Sequence, residues 1–175
     1  MLDSMLDRLK SFFGALPRHP RERAGQSGGP PDGPLDRPDG ELHVAAAALM
    51  LSVIEADGLH GAEERARLRG ALGLAYGLSG AALDEVMDAG EAAFREAVDL
   101  SVFGDALARG LDDATKADFV GILWEIVHAD GELHELEDNT VWRIAELIGV
   151  SQHERVMQRR QVRERHGLPD AAWDD

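Results

Sequence analysis

At 175 residues, with 33 acids against 18 Lys+Arg and a formal net charge of −15, the chain is long enough for one domain with appendages. It holds no cysteine, which excludes disulfide frameworks, thiolate metal sites and cysteine nucleophiles. The charge sits in the middle: residues 41–150 carry 22 acids against 7 Lys+Arg, while both flanks are balanced. Such a field repels nucleic-acid phosphates and anionic membrane and attracts cations and basic partners, though plain solubility is served by it equally well.

In chain order, Leu2, Leu6, Leu9, Phe12, Phe13 and Leu16 fall on one apolar helical stripe, with Asp3, Asp7, Arg8 and Lys10 off it. Residues 1–16 therefore read as a short amphipathic helix. Docking on the domain, on a partner or at a membrane interface through residues 2–16 are its open roles; its acids make the membrane the weaker choice. The early acids and the lack of a long apolar h-region argue against a secretory signal, so a cytoplasmic location is expected. Apolar runs fall short of the ~20 residues that span a bilayer. Residues 17–40 hold all but one of the prolines and a Gly-Gly pair, the composition of a flexible linker.

From Glu41 onward the pattern is helical. Residues 41–56 are apolar on nearly every side and predict a central buried helix, with Gly58 suited to end it. Residues 62–76 form a second helix with Leu68, Ala71, Leu72 and Ala75 inward. Ser79 is positioned to cap a third over 81–97. A fourth covers 101–109. Asp112 or Asp113 caps a fifth over 114–129, which buries Phe119, Ile122, Leu123, Ile126 and Val127. The sixth, 135–148, buries Val141, Ile144, Ala145 and Ile148. Ser151-Gln152-His153-Glu154 has the form of a capping box and opens a seventh, carrying Arg155, Arg159, Arg160, Arg163 and Arg165. The acidic tail 166–175 follows. No segment alternates as a strand, so the fold class is all-α: a single bundle of about seven helices over 41–165.

The most specific feature is a repeat. Ala56-Asp57-Gly58 and Ala129-Asp130-Gly131 stand 73 positions apart, each followed seven residues after the Asp by a glutamate, Glu64 or Glu137. Each copy follows an apolar helix, which suggests a bundle with an internal pseudo-two-fold repeat. An Asp at a helix C-terminus faces the negative end of the dipole at a cost of ~0.3–1 kcal/mol, so Asp57 and Asp130 need an offsetting interaction. An Asx-turn or a cap on the next helix supplies one. A cation is the alternative, since an Asp and a Glu across a tight turn can converge on one point. Neighbours are Glu55, His60 and Glu63 in the first copy, and His128, Glu132, His134 and Asp138 in the second. Carboxylates suit Ca²⁺ or Mg²⁺; His128 or His134 would favour Mn²⁺ or Zn²⁺. A lone histidine in such a chain is ordinarily a surface or capping residue. The spacing matches neither an EF-hand loop nor His-Glu-x-x-His, and no Walker loop, nucleophile elbow or dinucleotide fingerprint occurs. No catalytic residue and no organic cofactor are expected. The arginines of the last helix read as a solvated face or as partners for the acidic core.

The stretch Ala129-Asp130-Gly131-Glu132-Leu133-His134-Glu135-Leu136-Glu137, followed by Ile144-Ala145-Glu146-Leu147-Ile148-Gly149-Val150-Ser151, resembles the TerB-like tellurite-resistance family. In the first copy His60 replaces the apolar residue of the turn, and Gly77-Leu78-Ser79 arrives one residue late. The resemblance covers about 41–165 and implies an all-helical bundle with internal pseudo-symmetry. It also implies a divalent-cation site at Asp57, Glu64, Asp130 and Glu137, to which the reading above adds His134. A non-enzymatic stress-response module is expected, binding a divalent cation, a basic protein partner or both. It would stand in the cytoplasm, with peripheral contact to the inner membrane as an option. The alternative is a structural interaction domain whose acidic turns only cap helices.

Overall fold

The computed structural model describes residues 8, 11, 12, 40–56, 62, 65, 66, 68–70, 80–128 and 135–168. Six helices have defined bounds: α1 Gly40–Ile54, α2 Ala81–Glu96, α3 Ser101–Gly110, α4 Asp113–Val127, α5 Glu135–Leu147 and α6 Gln152–Arg165. Residues 11–12 and 68–70 are helical as well, and no strand occurs among the described residues. The fold is all-α, as the sequence pattern predicts.

Two helices form the hub. α1 has no polar face in its middle, and Ala45 to Leu51 are all buried. It packs on α2, α3, α4 and α5, and α4 packs in turn on α5 and α6. A helix apolar all round is stable only at the centre of such a bundle. The alanine run lets neighbours come close. A Cβ on Gly90 of α2 would stand 2.9 Å from the Ala47 Cβ, so the α1–α2 crossing depends on having none there. The expected inner residues Phe119, Ile122, Leu123 and Val127 of α4 are buried, as are Val141, Ile144, Ala145 and Ile148. Ile126 is only partly buried, because Trp124 and Glu125 take the inward positions beside it.

Helix ends follow capping chemistry. Asp112 accepts a 2.7 Å bond from the Thr115 N–H at the start of α4. At α6, Ser151 and Glu154 form a reciprocal capping box. The residue before α2 is Gly80, not the expected Ser79; its φ of 56° and ψ of −134° offer no side-chain cap. α5 ends in a Schellman turn: Gly149 at φ 82° lets the Val150 N–H reach the Ala145 carbonyl at 2.9 Å and its own N–H the Glu146 carbonyl at 3.1 Å. α1 and α4 stop at Ile54 and Val127, two residues short of the predicted ends. Asp57 and Asp130 come three residues later in the sequence. The two Asp-Gly turns lie outside the described residues, and the two-fold relation read from them does too.

Candidate functional site

Of the five residues expected to hold a cation, Asp57, Glu64, Asp130 and His134 lie outside the described residues. The fifth, Glu137, stands in the first turn of α5 and is 3% exposed, while Glu135 and Leu136 face solvent. A carboxylate near a helix N-terminus gains from the dipole, and Glu137 is in addition buried. Among the described residues, no group of three or more His, Asp or Glu is arranged to hold a metal ion. Glu55, the neighbour of the first turn, is committed elsewhere: Arg65 bonds it and stands 3.1 Å from Glu91 of α2.

The second half carries a polar seam that the sequence reading missed. Glu125 of α4 is 2% exposed. Its Oε2 is 2.8 Å from His166 Nε2, its Oε1 is 2.8 Å from Arg165 Nη1, and Arg8 Nη1 lies 3.6 Å away. Burial, and then the nearby positive charge of Arg165, lower the Arg8 pKa; Glu125 and Asp118 oppose both effects. A buried carboxylate is costly unless it is paired and hydrogen-bonded, and here two arginines and a histidine from both ends of the chain converge on one.

The seam continues through aromatic rings. His166 stands 6.1 Å from His128, which stacks on Trp124 at 6.2 Å. Trp142 meets Trp124 edge-on at 5.9 Å. On Trp124 lies the guanidinium of Arg159, 5.3 Å from the ring centroid, in a cation–π contact. Arg159 also donates to Asp138 of α5 at 2.9 Å. His128 is buried and closes α4, so it is a packed capping residue and not a surface one. The arginines of α6 divide: Arg159 and Arg163 are buried and Arg165 binds Glu125, while Arg160 pairs locally with Glu164. Intramolecular pairing, not a solvated basic stripe, is their main role. The row from Glu125 to Asp138 ends next in sequence to Glu137. Chemically it fixes the register of α4, α5 and α6. The one sequence signal was Glu125 itself, an acid inside the apolar run Ile122-Leu123-Trp124-Glu125-Ile126.

An acidic, all-helical bundle organised around two buried helices, with a polar seam along the second, defines the class of protein. The chain belongs to the TerB family: residues 43–160 match the family described as Tellurite resistance protein TerB. No curated protein and no solved structure matches it.

Proposed function

We propose that this chain is a non-enzymatic TerB-family module of the tellurite-resistance type, serving a stress response. It binds a divalent cation at the second Asp-Gly turn and thereby presents or withdraws an acidic surface for a basic protein partner. The observation that supports this reading most directly is the burial of Glu137 at the start of α5. It turns a carboxylate inward a few residues in sequence after Asp130, Glu132 and His134, within the segment that carries the net charge. Oxygen donors of this kind favour Ca²⁺, Mg²⁺ or Mn²⁺; participation of His134 would favour Zn²⁺. No described helix is long and apolar enough to cross a membrane, and the module is read as cytoplasmic.

A backbone NMR titration of the full chain with Ca²⁺, Mg²⁺, Mn²⁺ and Zn²⁺ in turn tests the reading. Shifts or broadening should centre on residues 129–138 and disappear in Asp130→Asn. Spectra unchanged at millimolar concentrations of all four ions would overturn it. They would favour the second reading, a structural interaction domain whose acids only cap helices, which Asp112 and Glu154 already do elsewhere in the fold.

A further inference from the structure

Two residues near the N-terminus meet the bundle on one face. Phe12 is 2% exposed and stacks on Phe119 of α4, with ring centroids 5.0 Å apart and planes at 28°. Arg8 donates to Gln158 Oε1 of α6 at 3.0 Å. It lies 3.6 Å from Glu125 and 3.7 Å from Asp118, both on α4. A spacing of four puts Arg8 and Phe12 on the same side of a helical turn. Asp118, Gly121 and Glu125 are spaced to line one face of α4 by the same rule.

Gly121 is the telling member. A glycine inside a helix costs about 0.5–1 kcal/mol relative to alanine, so a reason for it is wanted. A Cβ there would first meet the guanidinium of Arg8 and the side-chain oxygen of Gln158, not the backbone of a neighbouring helix. The missing side chain is therefore a notch for the arginine. The receiving face has three parts: the Phe119 ring, the Gly121 notch, and an acidic wall of Asp118 and Glu125.

From this complementarity we infer that the α4–α6 face is an exchangeable docking site for a helical turn bearing a cation and an aromatic ring four residues apart. Arg8 and Phe12 of the same chain fill it at rest, and the same segment of a second copy replaces them. A second copy is the partner because its fit to the face is already on view. Twenty-seven residues separate Phe12 from Gly40 and reach up to about 90 Å when extended. That is several times the ~13 Å radius of gyration of a hundred-residue domain. Covalent geometry thus leaves both copies within reach, and exchange creates no new kind of contact. A tethered segment competes at an effective concentration of order millimolar, so self-docking prevails in dilute solution. Glu125 keeps Arg165 and His166 when Arg8 departs, so the bundle's buried carboxylate stays paired. None of these residues belongs to the proposed cation site, so the two ideas stand or fall separately.

The test uses the full chain and a fluorescein-labelled peptide of residues 1–16. Arg8→Glu with Phe12→Ala empties the chain's own face, by setting a glutamate against Asp118 and Glu125 and by removing the ring stack. The peptide should bind this variant about 10²-fold more tightly than the unaltered chain, and Gly121→Leu added to the variant should abolish binding. Equal affinity for both chains, or binding that survives Gly121→Leu, would overturn the inference. A measurement without substitutions covers the case of a misfolded variant. Sedimentation of the unaltered chain should show dimer growing toward millimolar concentration and suppressed by excess peptide. A chain that stays monomeric, or a dimer indifferent to the peptide, would equally count against exchange.

Discussion

Glu125 shows what a single charged side chain can impose on a bundle. A carboxylate buried in an apolar helix is costly unless donors and positive charge reach it. Arg165, His166 and Arg8 do so from α6 and from the N-terminal segment. Removing the charge leaves those side chains facing an amide. Glu125→Gln should therefore lower stability by about 1.5–3 kcal/mol, the range for hydrogen bonds to charged groups. Urea unfolding at pH 7 measures this, and a midpoint equal to that of the unaltered chain would refute it. Arg8→Gln should cost less, because Arg165 and His166 remain in place.

Helix-scale features were the most legible in the sequence. α3 and α5 fall within about a residue of their predicted bounds, because apolar spacing is a local signal. The capping box at Ser151 and the Asp112 cap were readable for the same reason. Ser79 misled because a glycine, without any side-chain cap, takes the position next to α2. The polar seam was illegible for a different reason: Glu125 meets His166 across 41 residues and Arg159 meets Asp138 across 21. No local periodicity encodes a meeting of that kind. The cation reading was carried by family likeness and spacing, and only Glu137 of its residues lies within the described chain.

The caps also set a pH dependence. The Ser151 side-chain hydrogen bond and then its backbone bond lower the Glu154 carboxyl pKa; the Thr115 side chain and then its backbone N–H do the same for Asp112. A carboxyl with a lowered folded value stabilises the fold above its unfolded value, and that contribution is lost as pH falls through the folded value. The window thus opens near pH 4.3 for Glu154 and 3.9 for Asp112 and extends downward. Ser151→Ala should cost about 1 kcal/mol at neutral pH. The gap between the two unfolding curves should narrow below about pH 4. A gap constant down to pH 2.5 would contradict the assignment.

At the scale of the whole molecule, charge decides the response to salt. The −15 net charge is concentrated in residues 41–150, and self-repulsion there works against the compact state. Surface ion pairs such as Lys116–Asp113 and Arg160–Glu164 contribute about 0–1 kcal/mol each and weaken in salt. Repulsion should dominate. Shortening the Debye length from about 30 Å to about 8 Å with a monovalent salt should raise the melting temperature by about 2–4 °C for each kcal/mol of repulsion removed. A fall in melting temperature would show that the pairs prevail.

The contact between Arg8 and Gln158 joins residues 150 apart, and this has a consequence in time. Arg8 and Phe12 leave the ribosome before α4 and α6, and the receiving face is incomplete until α6 supplies Gln158. At synthesis rates of about 5–20 residues per second, that interval is roughly 8–30 s. Throughout it the nascent chain displays Arg8 and Phe12 without the complete face that seats them, so whatever first meets them during translation meets the segment without competition from the finished bundle.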